Sequence, residues 1–432
     1  MKEPTARELS LEILLSVTSG QSYSHIALRE TLEKYAYFEK GKRAQIKRLV
    51  EGVLENMLLL DEIIGQFSNV PVKKQKNVIR NILRMAVYEI FYMDAIPSHA
   101  SVNEAVKLAE KKGFRNLKGF VNGVLRSVDR NRDNLVLPDA LSIRYSMPEW
   151  IVDRWTEAFG EEKTEELLKS FFGNSPLAVH LTKQPSSGET QEACAAIVAA
   201  WEAEGVQADP VIDLPGAFFL TGVERLAAMQ TFRNGLFFVQ DVSSMKALSE
   251  VPVRPGMEVL DLCGAPGGKS LFLAARIGDE GSITCRDLSE NKVSLIRENI
   301  ARCRLSNIHA EAADARIFDR TWESRADLVI ADLPCSGLGV LGRKPEIRYR
   351  ITPQEINDLA ALQREILSTA QRYVKPGGLL LYSTCTITHE ENEDNAFWFC
   401  SAYPSFQKRK ECQLFPEAGL QDGFYYMLAQ RC

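Results

Sequence analysis

Two cysteines follow predicted strands at comparable positions in the chain. Cys335 lies in ADLPCSG, after a strand expected near 326–331, and Cys385 lies in YSTCT, after a strand expected near 378–383. Asp332 stands three residues before the first of them. An isolated cysteine is usually a small buried apolar residue. Two cysteines at strand ends beside a carboxylate instead favour a catalytic function.

This set of side chains suits methylation at carbon 5 of a pyrimidine. That carbon is a poor nucleophile until a group adds to carbon 6, and a thiolate adds and leaves readily. We expect Asp332 to hydrogen-bond the base at N3 and its amino group, and a second group to assist loss of the carbon 5 proton. Because the base must leave its stack, an RNA loop or a flipped nucleotide is the expected substrate. The spacing does not decide which cysteine attacks.

A glycine turn lies upstream, in EVLDLCGAPGGKS. A short strand over 259–262, the turn and a helix near 267–277 are typical of a ligand crevice in an open α/β sheet. The dinucleotide pattern GxGxxG is absent. The phosphate-loop pattern also fails, because Cys263 stands six residues before Lys269 where a glycine is required.

Two acids follow the next two predicted strands. Asp287, in TCRDLS, lies about 20 residues beyond the turn, where a carboxylate can accept both hydroxyls of a ribose; the alternative is a helix N-cap. Asp314, in EAADAR, is placed to accept an adenine amino group, or is an ordinary loop acid. Together with the glycine turn they predict a nucleoside pocket without a phosphate-binding lysine. This favours S-adenosylmethionine over ATP or NAD.

The elements that position these residues alternate between strand and helix after Leu260. Such alternation predicts a Rossmann-like parallel sheet with helices on both faces and the site at the carboxyl ends of the strands. Residues 4–130 instead show helical periodicity throughout and predict a bundle of six or seven helices. We expect three domains: a helical domain over 1–138, a small α/β linker over 139–238 and a catalytic domain over 239–432.

The charge is divided unevenly between the ends of the chain. Residues 1–140 hold 22 Lys and Arg against 17 Asp and Glu, a net charge of +5, whereas residues 141–432 carry −10. For any one basic cluster a solvated helix face is as good an explanation as RNA contact. Three clusters in one basic domain favour RNA or DNA contact. They are Lys42, Arg43, Lys47, Arg48; Lys73, Lys74, Lys76, Arg80; and Lys111, Lys112, Arg115, Lys118.

Composition excludes several other classes of protein. The hydrophobic fraction of 45% and charged fraction of 25% are those of a globular protein. The acids in MKEPTARELSLEILL argue against a secretory leader, and no apolar run reaches the length of a membrane span. Nine scattered cysteines fit a reducing cytoplasm rather than a disulfide framework. With no CxxC pair and five histidines, we expect no metal site.

The motifs together resemble a known family. CGAPGGK (263–269), ADLPCSG and YSTCT closely resemble the bacterial RNA cytosine-C5 methyltransferases of the NOL1/NOP2/Sun group. The segments IRNILRMAVYEI, PSHASVNEAVKLA and GFVNGVLR resemble the NusB-type RNA-binding domain. A NusB-type domain before this catalytic domain is similar to the RsmB (Sun, Fmu) family of 16S rRNA cytosine methyltransferases. The likeness spans nearly the whole chain.

The resemblance implies a class I methyltransferase domain with a seven-stranded, mostly parallel sheet and a role for each site residue. Cys385 would be the nucleophile, Cys335 would assist product release and Lys269 would support Asp332. Asp332 would lie between cofactor and base. The turn would hold the methionine end of S-adenosylmethionine, with Asp287 at the ribose and Asp314 at the adenine. The turn residues are Cys263, Gly264, Ala265, Pro266, Gly267, Gly268 and Lys269.

We therefore expect a monomeric, cytoplasmic enzyme that methylates 16S rRNA, naked or at an early assembly stage, at the family's expected site, cytosine 967. Two alternatives stay open. One is a methyltransferase of tRNA or another rRNA cytosine, and the other is a non-catalytic NusB-like RNA-binding protein. Lys344 and Tyr349 stand where the family often has histidine and tryptophan, which leaves contacts beside the base undefined.

Overall fold

The computed structural model describes residues 3–173, 176–183 and 190–432. The chain forms two compact units. A helical unit comprises Met1–Phe172 together with Leu341–Arg350, and an α/β unit comprises Gly173–Val340 and Ile351–Cys432. The expected three-domain division at residues 138 and 238 stays a prediction.

The helical unit begins with seven helices, as its periodicity predicts. The first starts at a capping box, in which Thr5 and Glu8 each accept a hydrogen bond from the other's backbone N–H. Three shorter helices follow. The bounds are α1 Ala6–Thr18, α2 Ser24–Lys34, α3 Lys40–Glu55, α4 Met57–Phe67, α5 Asn77–Tyr92, α6 Ser98–Lys111, α7 Lys118–Arg130, α8 Leu141–Arg144, α9 Glu149–Phe159 and α10 Glu161–Ser170.

Helix α5 is the centre of this unit. Most of its residues from Ile79 to Ile90 are buried, and it contacts α1, α3, α4, α6 and α7. Two of its buried charges are paired: Arg84 donates to Asp61 of α4 at 2.6 Å, and Glu89 accepts from Arg7 of α1 at 2.8 Å. Such pairing offsets the cost of removing these charges from water.

A ten-residue segment from the distant part of the chain completes the helical unit. In Leu341–Arg350, the Glu346 carboxylate accepts hydrogen bonds from the N–H and hydroxyl of Ser24, both at 2.8 Å. The Tyr349 hydroxyl donates to the Leu54 carbonyl at 2.9 Å. Glu346 is 2% exposed. Tyr349 is therefore a structural residue of the helical unit.

The α/β unit starts with a small antiparallel sheet in the strand order β2-β3-β1-β4. Trp201 lies in its core against Phe218 and Phe237. The elements are β1 Leu177–Leu181, α11 Thr190–Ala203, β2 Gln207–Pro210, β3 Ala217–Thr221, α12 Gln230–Arg233, β4 Phe237–Val239 and α13 Val242–Ser249.

The large sheet has seven strands in the order β10-β11-β9-β8-β5-β6-β7. Strands β5 to β9 are parallel, while β10 and β11 add antiparallel pairs at one edge. This confirms the predicted fold class. The elements are β5 Glu258–Asp261, α14 Gly268–Ile277, β6 Ser282–Asp287, α15 Glu290–Cys303, β7 Ile308–Ala312, β8 Ala326–Asp332, α16 Pro353–Ala370, β9 Val374–Thr384, α17 Glu393–Ala402, β10 Phe406–Leu414 and β11 Phe424–Arg431.

Helices cover both faces of this sheet. Because successive strand residues point to opposite faces, Val259 and Ile330 join one buried cluster, whereas Leu260 and Val329 join the other. The carboxyl ends of the parallel strands are where such a sheet meets ligands. Within the described residues, no helix combines the length and apolar composition needed to cross a membrane.

Candidate active site and cofactor crevice

The carboxyl ends of the five parallel strands lie along one edge of the sheet. Asp332, the last residue of β8, is paired in register with Ser383 of β9. Asp261, the last residue of β5, is paired with Cys285 of β6. Asp287 ends β6, and the loops after β5, β8 and β9 carry the glycine turn, Cys335 and Cys385, so these residues share this edge.

The glycine turn is built by close backbone approach. The Gly264 N–H donates to the Arg286 carbonyl at 2.8 Å, and the Gly267 N–H donates to the Gly264 carbonyl at 2.6 Å. A Cβ atom at position 264 would lie 2.3 Å from Cys285 Sγ and 2.8 Å from Asp261 Oδ2. Gly267 has φ of +107° and α14 begins directly after it. The unpaired N–H groups of the first helical turn therefore stand at this turn.

The remaining turn residues are fixed by neighbours. Burial and nearby acids, Asp287 first among them, raise the pKa of Cys263, so its thiol is neutral. The Pro266 carbonyl accepts from the Asn299 side chain at 2.9 Å. The closest approach to a Cβ at Gly268 is 3.8 Å, by the Gln240 side chain.

Asp287 is tied to the glycine turn. Its carboxylate accepts the Ala265 N–H at 3.2 Å and the Leu288 N–H at 2.8 Å, and Lys292 Nζ lies 3.0 Å from it. The residue is 4% exposed. Each carboxylate oxygen can accept a further hydrogen bond, so this position suits a pair of ligand hydroxyls.

Asp314 is engaged within its own loop. Arg316 donates to it through the backbone N–H at 3.0 Å and through the guanidinium, at 2.6 Å for the closest pair of atoms. These hydrogen bonds hold the pKa of the Asp314 carboxyl below its usual value. A ligand amino group would share this carboxylate with Arg316.

Asp261 was not singled out in the sequence. It is fully buried, and its Oδ2 accepts the Ser270 hydroxyl at 2.7 Å. Burial raises its pKa to about 6. Its other oxygen, Oδ1, has no hydrogen-bond partner among the described residues. A buried carboxylate oxygen without a partner is costly, and this one is located beside the glycine turn.

Lys269 and Asp332 form an ion pair. Lys269 Nζ lies 2.5 Å from Asp332 Oδ2, and the Ser383 hydroxyl donates to Asp332 Oδ1 at 2.8 Å. Lys269 also lies over the Phe424 ring, with Nζ 5.2 Å from its centroid. The carboxylate is therefore held from both sides, and each oxygen keeps a lone pair for another donor.

The two candidate cysteines are adjacent. Cys335 Sγ and Cys385 Sγ are 3.3 Å apart, and both residues are free thiols that are partly exposed. The hydrogen bond with Cys385 and burial raise the pKa of Cys335. Either sulfur could donate this hydrogen bond, and the raised pKa of Cys335 favours Cys335 as the protonated donor.

Two buried polar residues near the thiols were not singled out in the sequence: Gln363 and Glu391. The Glu391 carboxylate lies 2.8 Å from the N–H of Ser336, the residue after Cys335. A hydrophilic residue within an otherwise apolar helix face, as Gln363 is within α16, was the available signal.

The basic clusters of the helical unit differ in their partners. In the first, Lys42 and Lys47 pair with Glu3 and Glu51. The third is paired throughout: Lys111 with Glu8, Lys112 with Glu12, and Arg115 and Lys118 with Glu110. In the middle cluster, Lys73, Lys74 and Lys76 are exposed and make no ion pair within the part of the chain that the structure describes.

No metal centre is found in the described ranges, where no group of three or more His, Cys, Asp or Glu side chains converges on a point. The sheet edge presents two thiols, a carboxylate paired with a lysine and a glycine turn. A seven-stranded, mostly parallel sheet carrying such an edge defines a methyltransferase-type fold.

Comparisons with known proteins agree with that class. Residues 251–429 match the family described as 16S rRNA methyltransferase RsmB/F, and residues 4–130 match the NusB family. A Bacillus subtilis protein named probable ribosomal RNA small subunit methyltransferase B is 34% identical, over 94% of this chain and 90% of that protein. An Escherichia coli O7:K1 protein named ribosomal RNA small subunit methyltransferase B is 29% identical, over 95% and 94%. This chain belongs to the RsmB family of small-subunit rRNA methyltransferases.

Solved structures support the fold. The crystal structure of PH0851 covers all of both chains with a TM-score of 0.84 at 24% identity. NSun6 from Pyrococcus horikoshii, solved with SFG, covers 66% of this chain and 98% of its own with a TM-score of 0.56 at 19% identity.

The close approach at Gly264 makes its substitution informative. In Gly264→Ala, the added methyl group meets Cys285 Sγ, and overpacking of about 1–3 kcal/mol distorts the turn. We expect the Kd for S-adenosylmethionine, measured by calorimetry, to rise roughly fivefold or more. Adding Cys285→Ala removes one of the two clashing groups and should restore part of the affinity.

The matched control is Gly123→Ala in α7, where nothing lies within 4 Å of the new Cβ. It should bind the cofactor like the unmodified protein. Unchanged affinity in Gly264→Ala would show that the turn does not contact the cofactor.

Proposed function

We propose that this chain transfers a methyl group from S-adenosylmethionine to carbon 5 of a cytosine in 16S rRNA, with Cys385 as the nucleophile. The observation that carries the proposal is the pair of thiols, 3.3 Å apart, beside a carboxylate held by Lys269. A single cysteine would suffice for a structural role. Two at this distance suit addition to a base followed by release.

The residues at the glycine turn fit S-adenosylmethionine. The turn has no room for a Cβ at Gly264, Asp261 Oδ1 is buried without a partner among the described residues, and Asp287 is fixed beside the turn. Asp287 would hold the ribose hydroxyls, Asp314 the adenine, and the turn from Cys263 to Lys269 the methionine end. When bound, the cofactor supplies an electrophilic methyl group.

The first step belongs to Cys385. Its thiolate bonds to carbon 6 of the cytosine, and the electron pair of the C5–C6 double bond moves to carbon 5, which becomes nucleophilic. As the thiolate adds, N3 of the base takes up a proton from water, which it returns to water at release. Asp332, oriented by Lys269 and Ser383, accepts hydrogen bonds from the base amino group and from this N3–H. The N3–H exists only in the adduct, so its hydrogen bond favours the adduct over the free base.

Release follows once carbon 5 carries the methyl group. The carbon 5 proton leaves to water, its bonding electrons restore the C5–C6 double bond, and the C6–S bond breaks to return the Cys385 thiolate. The Cys335 S–H donates a hydrogen bond to that departing sulfur, along the contact seen at 3.3 Å. A protonated Cys335, favoured by its raised pKa, is the form this step requires.

The helical unit supplies the second half of the proposal, contact with the RNA backbone. Phosphate contacts by lysine contribute affinity without reading sequence. The middle basic cluster suits this role, because its lysines are exposed and make no ion pair in the described chain. Cytosine 967, the site expected from the family resemblance, is the proposed target.

Replacing Cys385 tests the nucleophile and the substrate together. The Cys385→Ala protein should bind S-adenosylmethionine normally and give no 5-methylcytosine, because no adduct can form. The measurement is methyl transfer to purified 16S rRNA and to total tRNA, with bisulfite mapping of the product. Residual activity in Cys385→Ala, or methylation of tRNA alone, contradicts the proposal, and absence of cofactor binding in the unmodified protein would favour a non-catalytic RNA-binding protein.

Replacing Cys335 tests release. The Cys335→Ala protein should still form the bond to RNA but lose the hydrogen bond to the departing sulfur. We expect a covalent protein–RNA adduct that survives denaturing electrophoresis. Digestion of the adduct should yield an RNA-linked peptide containing position 385. A linkage elsewhere assigns the nucleophile to another residue.

Replacing the middle basic cluster tests RNA contact. The triple variant Lys73→Ala, Lys74→Ala, Lys76→Ala should weaken RNA binding and lower the slope of log K against log salt by about two to three, since each lost phosphate contact contributes roughly 0.7–0.9. The control variant replaces Lys111, Lys112 and Lys118, whose charges are paired. Equal effects of the two variants would contradict a specific role for the middle cluster.

A further inference from the structure

A fully buried glutamate lies beside the two thiols. Glu391 has no exposed surface, and its carboxylate accepts four hydrogen bonds. Oε1 accepts the Ser336 N–H at 2.8 Å and the Gln363 amide at 3.1 Å. Oε2 accepts the hydroxyls of Ser336 and Thr388, both at 2.6 Å. Four donors fill both oxygens, which is the environment of an ionised carboxylate.

Gln363 of α16 binds Glu391 and also the residue before Cys335. Its amide N–H also donates to the Pro334 carbonyl at 2.9 Å. Its oxygen accepts from Asn395 at 2.8 Å and from the Tyr382 hydroxyl at 3.1 Å, so the side chain cannot turn freely. Cys335 is therefore held through both neighbours, by Gln363 before it and Glu391 after it.

The hydrogen bonds around Glu391 also reach the loop after β9, which carries Cys385. Because the Ser336 hydroxyl donates to Glu391, its contact of 2.7 Å with the Thr386 hydroxyl is one that it accepts. Thr386 follows Cys385 directly, and the Cys385 carbonyl accepts the Gly339 N–H at 3.1 Å. Hydrogen bonds thus connect the loop after β8 to the loop after β9 next to the thiol pair.

The charge of Glu391 also acts on Cys335. Desolvation raises the pKa of Glu391, and its four hydrogen-bond donors oppose that shift by stabilising the ionised form. A buried negative charge near a thiol disfavours a second one, and Glu391 is among the groups that raise the pKa of Cys335. The hydrogen bonds around Glu391 keep Cys335 in place, and the negative charge of Glu391 favours its protonated form.

We propose that Glu391, with Gln363, is a positioning residue for release of the methylated base, holding Cys335 as a hydrogen-bond donor 3.3 Å from the sulfur of Cys385. This rests on the proposed function and deepens it. Glu391 touches neither the glycine turn nor Asp287 among its hydrogen-bond partners, so its effect falls on release rather than on cofactor binding.

The test is Glu391→Gln, which keeps the shape of the side chain and removes its charge. The full-length variant is compared with Cys335→Ala in three measurements: the Kd for S-adenosylmethionine, single-turnover methyl transfer, and covalent protein–RNA adduct at steady state. We expect an unchanged Kd, kcat lower by about 10- to 100-fold, as follows from small displacements of a catalytic group, and an adduct that accumulates as in Cys335→Ala.

The matched control is Glu393→Gln, two residues away at the start of α17, whose carboxylate lies 3.1 Å from His389 Nδ1. It should turn over like the unmodified enzyme and leave no adduct. If Glu391→Gln behaves in the same way, or if it loses cofactor binding and adduct formation together, the positioning role is wrong.

A second variant covers the case in which Glu391→Gln does not fold. Ser336→Ala keeps the backbone donor to Glu391 but removes the hydroxyl that connects Glu391 to Thr386. It should accumulate adduct several-fold above the unmodified enzyme, and absence of any adduct here would overturn the inference. If Cys335→Ala itself forms no adduct, the proposed mechanism fails first, so the two failures are distinguishable.

Discussion

The parallel register of β8 and β9 is the constraint on which the site depends. Asp332 lies opposite Ser383, so the loops that follow these residues leave the sheet side by side. The two cysteines are 50 residues apart in sequence, with the whole of α16 between them. A shift of one residue between the strands would turn Ser383 to the other face and remove its hydrogen bond to Asp332. The chemistry is a consequence of strand pairing.

The sheet edge concentrates ionisable groups that would be unfavourable in the core. Asp332 has a lysine partner and Glu391 has four donors, whereas among the described residues only one oxygen of Asp261 has a hydrogen-bond partner. Partly satisfied buried carboxylates lower stability. Their presence at this edge indicates a site that binds polar ligands.

The sequence predicted the sheet and the strand-end residues because both depend on local patterns. Alternating strands and helices imply a parallel sheet, and parallel strands place their ends together. Strand β10 was missed because it is an exposed edge strand, QKRKECQL after Phe406, without an apolar face. The predicted contact between Asp314 and an adenine could not take Arg316 into account. The hydrogen bonds from the Arg316 guanidinium to Asp314 depend on side-chain conformation, which the sequence does not give. The hydrogen bonds around Glu391 and Gln363 join four separate segments of the chain, and no local sequence pattern predicts them.

The segment Leu341–Arg350 has a consequence for how the protein is made. It supplies buried groups such as Glu346 to a unit whose other residues end at Phe172. Arg350 follows Phe172 by 178 residues. At typical elongation rates, roughly 10–35 s therefore pass between the synthesis of Phe172 and that of Arg350. Until then Ser24 lacks its carboxylate partner. The amino-terminal helices therefore cannot mature fully on the ribosome before most of the chain has been translated, which ties completion of the first unit to emergence of the second.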